Sequence, residues 1–181
     1  WPQEVLKDTR EYVADNARVF ARIPKFTAAG RVRFPVAYTN GSNLNLKHEL
    51  SLKKLAQALT VRAELDAEEG RGHAATEAIL AAVGVCKTLD DEPILISKLV
   101  QIACEAIASQ TVERVLNRTT LDDADLAALQ AAFAQRVSTN RFEQSLVGEL
   151  CLGLDHYRAS PTTIATSMNW MAALSGGPTA P

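Results

Sequence analysis

The chain has 181 residues, 47% of them hydrophobic, and a formal net charge of −2 with acids and bases interspersed. That length makes one domain with a sizeable core, and that charge balance disfavours electrostatic nucleic-acid binding. No run approaches the ~20 apolar residues of a membrane span, and no signal peptide is legible; the start at Trp1, without an initiator methionine, reads as a fragment or mature form.

Pro2 to about Arg22 carries Val5, Leu6, Tyr12, Val13, Ala17 and Phe20 in a loose helical pattern, with Pro24 expected to end it. Residues 25–43 read as an irregular linker punctuated by Gly30, Pro35 and Asn40-Gly41. A short extended piece is expected at Val32, Phe34 and Val36, with Phe34 and Tyr38 as anchors. From Asn45 to Glu69 the pattern is helical again, with Leu52, Leu55, Ala56, Leu59, Ala63 and Ala67 on one face and Gly70-Arg71-Gly72 as the stop. A third helix, His73–Leu89, turns Ala75, Ala78, Ile79, Ala82 and Cys86 inward, and so many small residues imply close helix approach.

Residues 91–118 read as the long central helix around which the rest is arranged, with Asp90 or Asp91 as cap and Pro93 in the first turn. At ~1.5 Å per residue it spans about 40 Å. Leu95, Leu99, Ile102 and Ala106 form one apolar face; Ile96, Val100, Cys104, Ile107, Thr111 and Val115 form a second, about 120° away. Lys98, Gln101, Glu105 and Ser109 are left as a narrow strip for water. A helix apolar over most of its circumference must be covered on at least two sides.

Thr119-Thr120-Leu121-Asp122-Asp123 offers overlapping capping signals for a helix with Leu126, Leu129, Phe133 and Val137 buried. Asn140 opens the last strong helix, with Phe142, Leu146, Leu150, Gly153 and Tyr157 on its buried side and Pro161 closing it. Residues 161–181 are expected as a tail, a short helix followed by disorder from Gly176. The fold class is therefore all-α, an irregular bundle of antiparallel helical hairpins in a single domain over residues 1–160. The Leu52–Leu89 hairpin resembles a tetratricopeptide repeat in the offsets of Ala63, Gly70, Ala75, Ile79 and Ala82, although the aromatic positions and a second copy are missing.

Cys86, Cys104 and Cys151 have no metal-ligand spacing. With a turn at Asp90, Cys86 and Cys104 fall roughly 15 Å apart along the axis, beyond disulfide reach, and all three read as buried thiols.

A resemblance to a family of uncharacterised, membrane-anchored bacterial envelope proteins rests on several pieces in order. They are Asn16-Ala17, Arg33-Phe34-Pro35, Leu55-Ala56 to Ala63, and Leu89-Asp90-Asp91-Glu92-Pro93 with Leu95-Ile96. Leu99-Val100 with Ile102-Ala103, Leu126 to Leu129, and Gly148-Glu149 with Gly153-Leu154-Asp155 complete the set. Where that family has an arginine after its Gly-Glu pair, this chain has Leu150. The resemblance implies a helical domain facing the periplasm, tethered by an anchor outside this stretch. It implies no activity.

Among polar residues, Glu149 lies at the edge of the expected buried face of its helix, and Glu113 shares the Leu95–Ala106 face of the central one. A buried carboxylate requires a partner, and Arg62 and Arg114 are the candidates. An ion pair that sets helix register explains these residues more simply than a ligand anchor or an acid–base pair. Asp90-Asp91-Glu92 reads first as a cap, and second as a site for a cation or basic partner. His48, His73 and His156 make no Glu-x-x-His, His73 and Glu77 read as a surface contact, and no nucleophile elbow or phosphate loop is present. Catalytic residues, cofactor and metal are therefore not expected. The reading is a non-enzymatic interaction or scaffold domain with a protein or peptide partner. Its rivals are a small-molecule or lipid binder with a pocket near Glu149, and an enzyme built on a carboxylate pair such as Glu113 and Glu149.

Overall fold

The computed structural model describes residues 1–28, 32–38, 44–136 and 140–158, with the side chains of 140, 141, 156 and 157 set aside. Among them are eight helices and no strand: α1 (Gln3–Asp15), α2 (Ala17–Phe20), α3 (Ile23–Thr27), α4 (Lys47–Glu68), α5 (Gly72–Lys87), α6 (Leu95–Leu116), α7 (Asp123–Ala134) and α8 (Asn140–Arg158). The chain is all-α. The expected tail over 161–181, the closing Pro161 and the Asn40-Gly41 turn lie outside the described residues.

The α4–α5 hairpin is the scaffold. Asp66 is 5% exposed and holds the turn: its Oδ1 accepts from Arg71 Nε at 3.0 Å, and its carbonyl accepts from the Arg71 amide at 2.7 Å. Between them Gly70 takes φ +75°, a conformation that suits glycine. Near this turn Ala63 and Ala67 pack with Ala75, Ala78, Ile79 and Val115; at the other end Leu52 and Leu59 pack with Val83, Val85 and Leu89. That ordering is antiparallel. The small-residue faces expected of both helices are buried, with Leu55 half-buried.

Ahead of the hairpin the chain breaks into three short helices. Pro24 does not end the first helix; it stands in the first turn of α3, where a missing N–H is harmless. Phe20 and Ile23 reach the core between α4 and α5, and Phe34 packs against the same cluster.

Of the two apolar faces expected of α6, the second is turned inward at Cys104, Thr111 and Val115, while the first and the polar strip trade places. Its buried residues are Ser97, Lys98, Gln101, Cys104, Ala108, Thr111 and Val115. Two members of the supposed solvent strip, Lys98 at 5% and Gln101 at 2% exposure, lie inside, while Leu99 at 50% and Ile102 at 48% face out. The burial of Lys98 and Gln101 has an electrostatic cause. Arg136, just past α7, donates from both Nη atoms to Asp90 (3.0 and 2.6 Å) and from Nε to Glu105 at 2.7 Å. Asp90 also accepts from Gln101, which in turn accepts from Lys98. A satisfied polar network can be buried at little cost. Burial opposes the charge on Arg136, but hydrogen bonds to Asp90 and Glu105 outweigh it, leaving the guanidinium pKa above its usual range.

Asp90 is thus a network member and not the cap of α6. That helix begins at Leu95, after an extended Ile94, so Pro93 stands ahead of the first turn. The longer connection also corrects the cysteine geometry. Cys86 and Cys104 meet in one buried cluster with Ala56, and that contact, with burial, pushes the Cys86 thiol pKa up. Cys151, on α8, is exposed.

α7 is capped by Asp122, whose Oδ1 accepts from the Asp125 amide at 2.7 Å, so neither threonine is the cap. Leu129 is buried, Phe133 half-buried and Leu126 exposed; Val137 is outside the described residues. On α8 the expected buried stripe is exposed at Phe142, Leu146 and Leu150. What α8 turns inward is Ser145, with Gly148 so close to Pro93 that a Cβ would collide with its carbonyl oxygen.

Candidate functional site

The four residues singled out from the sequence do not form one site. Glu149 is exposed, and its partner is a backbone amide: Leu95 N–H donates to Glu149 Oε2 at 3.3 Å. The carboxylate therefore sits at the positive end of α6 and supplies the cap its own flanking residues do not. Glu113 is exposed on α6, eighteen residues past Leu95, or ~27 Å along the axis. The two carboxylates cannot act as a pair.

Neither arginine serves these acids. Arg62 Nε lies 3.5 Å from Asp66 Oδ2, with its guanidinium 5.5 Å above the Phe20 ring; Arg114 Nη1 donates to Glu64 Oε1 at 2.8 Å. Arg62 thus pairs within α4 and covers Phe20 of α2, and Arg114 ties α6 to α4.

The structure assembles another cluster from residues remote in sequence. His48 and Glu49 stand in the first turn of α4, Glu92 in the connection before α6, and Ser97 in the first turn of α6. His48 Nε2 is 2.7 Å from Glu92 Oε1, and the Ser97 hydroxyl donates to Glu49 Oε1 at 2.5 Å while also touching Glu92. Glu49 is 5% and Glu92 6% exposed, and Ser97 is fully buried. Phe34 stacks on the His48 ring at 4.4 Å and 19°, so the linker ahead of α4 roofs the cluster. The expected anchoring role of Phe34 is met through this ring.

A serine hydroxyl has one proton to donate, yet here it faces two carboxylates. The two carboxylates therefore compete for one donor. Burial raises the pKa of Glu49, and the neighbouring Glu92 charge adds to the rise against Ser97 and His48. Burial, then Glu92, likewise push the Tyr38 phenol up. Val32, Arg33, Phe34, Tyr38, Glu92 and Pro93 line a recess of about 450 Å³ beside the cluster. The one signal for this site in the sequence was the acidic run before Pro93; nothing in the spacing tied Glu92 to His48-Glu49, forty-three residues earlier.

Two further surfaces stand out. A groove of about 620 Å³ is lined by Val19, Ile23, Phe26, Phe34, Leu52 and Leu55, with Arg18 and Arg22 beside them. Around the α6–α8 contact, Ile96, Leu99 and Ile102 of α6 and Phe142, Leu146, Val147, Leu150 and Leu154 of α8 are each 42–62% exposed. No described helix is long and apolar enough to cross a membrane. Comparison with protein-family models, curated proteins and solved structures finds no match, so the functional reading rests on this geometry.

Proposed function

We propose that this chain is a non-enzymatic helical interaction domain that docks an apolar segment of a protein or peptide partner on the outward side of α6 and α8. The observation that carries the reading is the set of eight half-exposed large apolar side chains on two touching helices. Large apolar side chains left in water in that number on neighbouring helices are the surface a docked partner would cover. Fully covering a Leu or Ile is worth about 1.5–3 kcal/mol, so half-covered chains retain about 1 kcal/mol each for a partner. The resemblance to envelope proteins supports a place of action at the bacterial envelope, on the periplasmic side, with the anchor outside this stretch.

The test is site-specific photo-crosslinking in cells, with the reactive residue at Leu99, Leu150 or, as control, Val5, which is exposed on α1. The reading expects one protein adduct at Leu99 and Leu150, none at Val5, and loss of binding by the purified Leu99→Lys/Leu150→Lys double variant. Equal adducts at all three positions, or binding unchanged in the double variant, contradicts it.

A second reading, an amphiphile binder, is favoured by the Arg18/Arg22 groove and not by any recess at Glu149. Its apolar lining suits an acyl chain and its arginines a carboxylate head. Displacement of a fluorescent fatty acid, lost in Arg18→Ala/Arg22→Ala, would support it; no binding by the wild type would end it.

A further inference from the structure

We propose that His48, Glu49 and Glu92 form a Zn²⁺ site, one imidazole nitrogen and two carboxylate oxygens, that clips the start of α4 to the connection entering α6. The inference is independent of the docking surface.

The geometry comes first. One ligand atom from each residue lies within 4.8 Å of the other two. In a tetrahedral Zn²⁺ site with bonds of ~2.0–2.1 Å, ligand atoms stand about 3.3 Å apart. His48 Nε2 and Glu92 Oε1, now 2.7 Å apart, need to open by about half an ångström to reach that edge. Side-chain torsions supply such a change without moving the helices. The three residues come from two elements that meet only in the folded chain, so the site belongs to the fold and not to a local peptide.

Charge makes the second argument. Glu49 and Glu92 are both buried, share one serine hydroxyl, and have carboxylate oxygens within 4.8 Å of each other. Like charges at this separation in a poorly solvated place repel strongly, and a divalent cation relieves the repulsion outright. Ligand chemistry then selects among cations. An imidazole beside carboxylates suits Zn²⁺ better than Mg²⁺ or Ca²⁺, which take all-oxygen sets of higher number.

The surroundings fit a built site. Ser97 holds both carboxylates in place and Phe34 covers the imidazole face, the orienting contacts that ligands of a metal usually have. Three protein ligands leave a fourth position for water, and the recess beside Glu92 gives solvent a way in.

The experiment uses the full chain in a Cys151→Ser background, because that exposed thiol is the obvious competing ligand. After chelator treatment, Zn²⁺ is titrated by calorimetry and Co²⁺ by visible absorption. The proposal expects one Zn²⁺ per chain, a Co²⁺ spectrum of a four- or five-coordinate site without a thiolate band, and a higher melting temperature with metal. Groups that merely orient a ligand are worth about 10- to 100-fold in metal affinity, so His48→Ala and Glu92→Gln should each cost at least about tenfold. Glu49→Gln, nearly isosteric, provides a folded variant should His48→Ala unfold. Absence of Zn²⁺ binding by the Cys151→Ser chain, or affinity unchanged in the folded ligand variants, overturns the proposal.

Discussion

Replacing Arg136 by methionine tests the buried polar network that orients α6. Arg136 is 7% exposed in its side chain, Asp90 12% and Glu105 24%. The substitution keeps most of the side-chain volume and removes the guanidinium that bridges both acids. Breaking a buried ion pair from one side costs about 3–5 kcal/mol, because the remaining charge is left without compensation. Glu105 is near enough to solvent to turn toward water, so the penalty falls mainly on Asp90 and belongs at the lower end, about 3 kcal/mol. For a domain of this size each kcal/mol moves the melting temperature by about 2–4 °C, giving a fall of about 6–12 °C. Urea unfolding followed by circular dichroism measures the free energy, and calorimetry the temperature. Arg136→Lys should recover only part of the loss, since an ammonium cannot make the two-pronged contact with Asp90. A loss below about 1 kcal/mol in Arg136→Met would refute the reasoning, because exposed ion pairs are worth no more than that.

Gly148→Ala drives a Cβ into the Pro93 carbonyl; α8 should lift from α6 at a cost of about 1–3 kcal/mol. Hydrogen exchange should speed up over α8 while α4 and α5 stay protected, and unchanged α8 exchange would contradict the contact. Glu149→Gln removes charge from the end of α6 but keeps an acceptor, so the loss should stay within about 0.3–1 kcal/mol; a fall of several kcal/mol would restore the buried arginine pair expected from the sequence. His73 Nδ1 lies 2.9 Å from Asp125 Oδ1, and that hydrogen bond, with the Asp125 charge, raises the histidine pKa. The protonated ring is favoured in the folded chain, so this stabilisation is fully present below the unfolded pKa of ~6.5 and fades as pH rises through the raised folded value. An NMR titration should place His73 above free histidine and Asp125→Asn should lower it; a wild-type value at or below the free one would be inconsistent with the contact.

The helices were largely legible because apolar periodicity and punctuation agree. Leu52, Leu59 and Ala63 on α4 and Ala75, Ile79 and Ala82 on α5 declare their faces, and Gly70 marks the turn. The orientation of α6 was legible only in part: Cys104, Thr111 and Val115 lie inward as their spacing suggests, but a helix with apolar residues on most sides does not declare which second face is covered. The decision came from Arg136 and Asp90, remote in sequence, which drew Gln101 and Lys98 inward. Nor does periodicity separate a core stripe from a docking stripe, and on α8 Leu146 and Leu150 carry the pattern of the first while standing exposed. Glu149 and Arg62 were recognised as polar groups needing partners, but partner choice depends on which helices meet. The His48–Glu49–Glu92 cluster was hidden for the same reason: no helical spacing relates a loop residue to the start of α4.

Around Leu99, α6 shows its aliphatic side to solvent and its mixed side to the core. Equilibrium unfolding of Leu99→Lys and Ala108→Lys, one from each side, measures this directly. Leu99 is half exposed and Ala108 fully buried, so Leu99→Lys should cost no more than about 1 kcal/mol, its stem keeping part of the cover, while Ala108→Lys costs more than about 4 kcal/mol. Equal losses, or a larger one at Leu99, would contradict it.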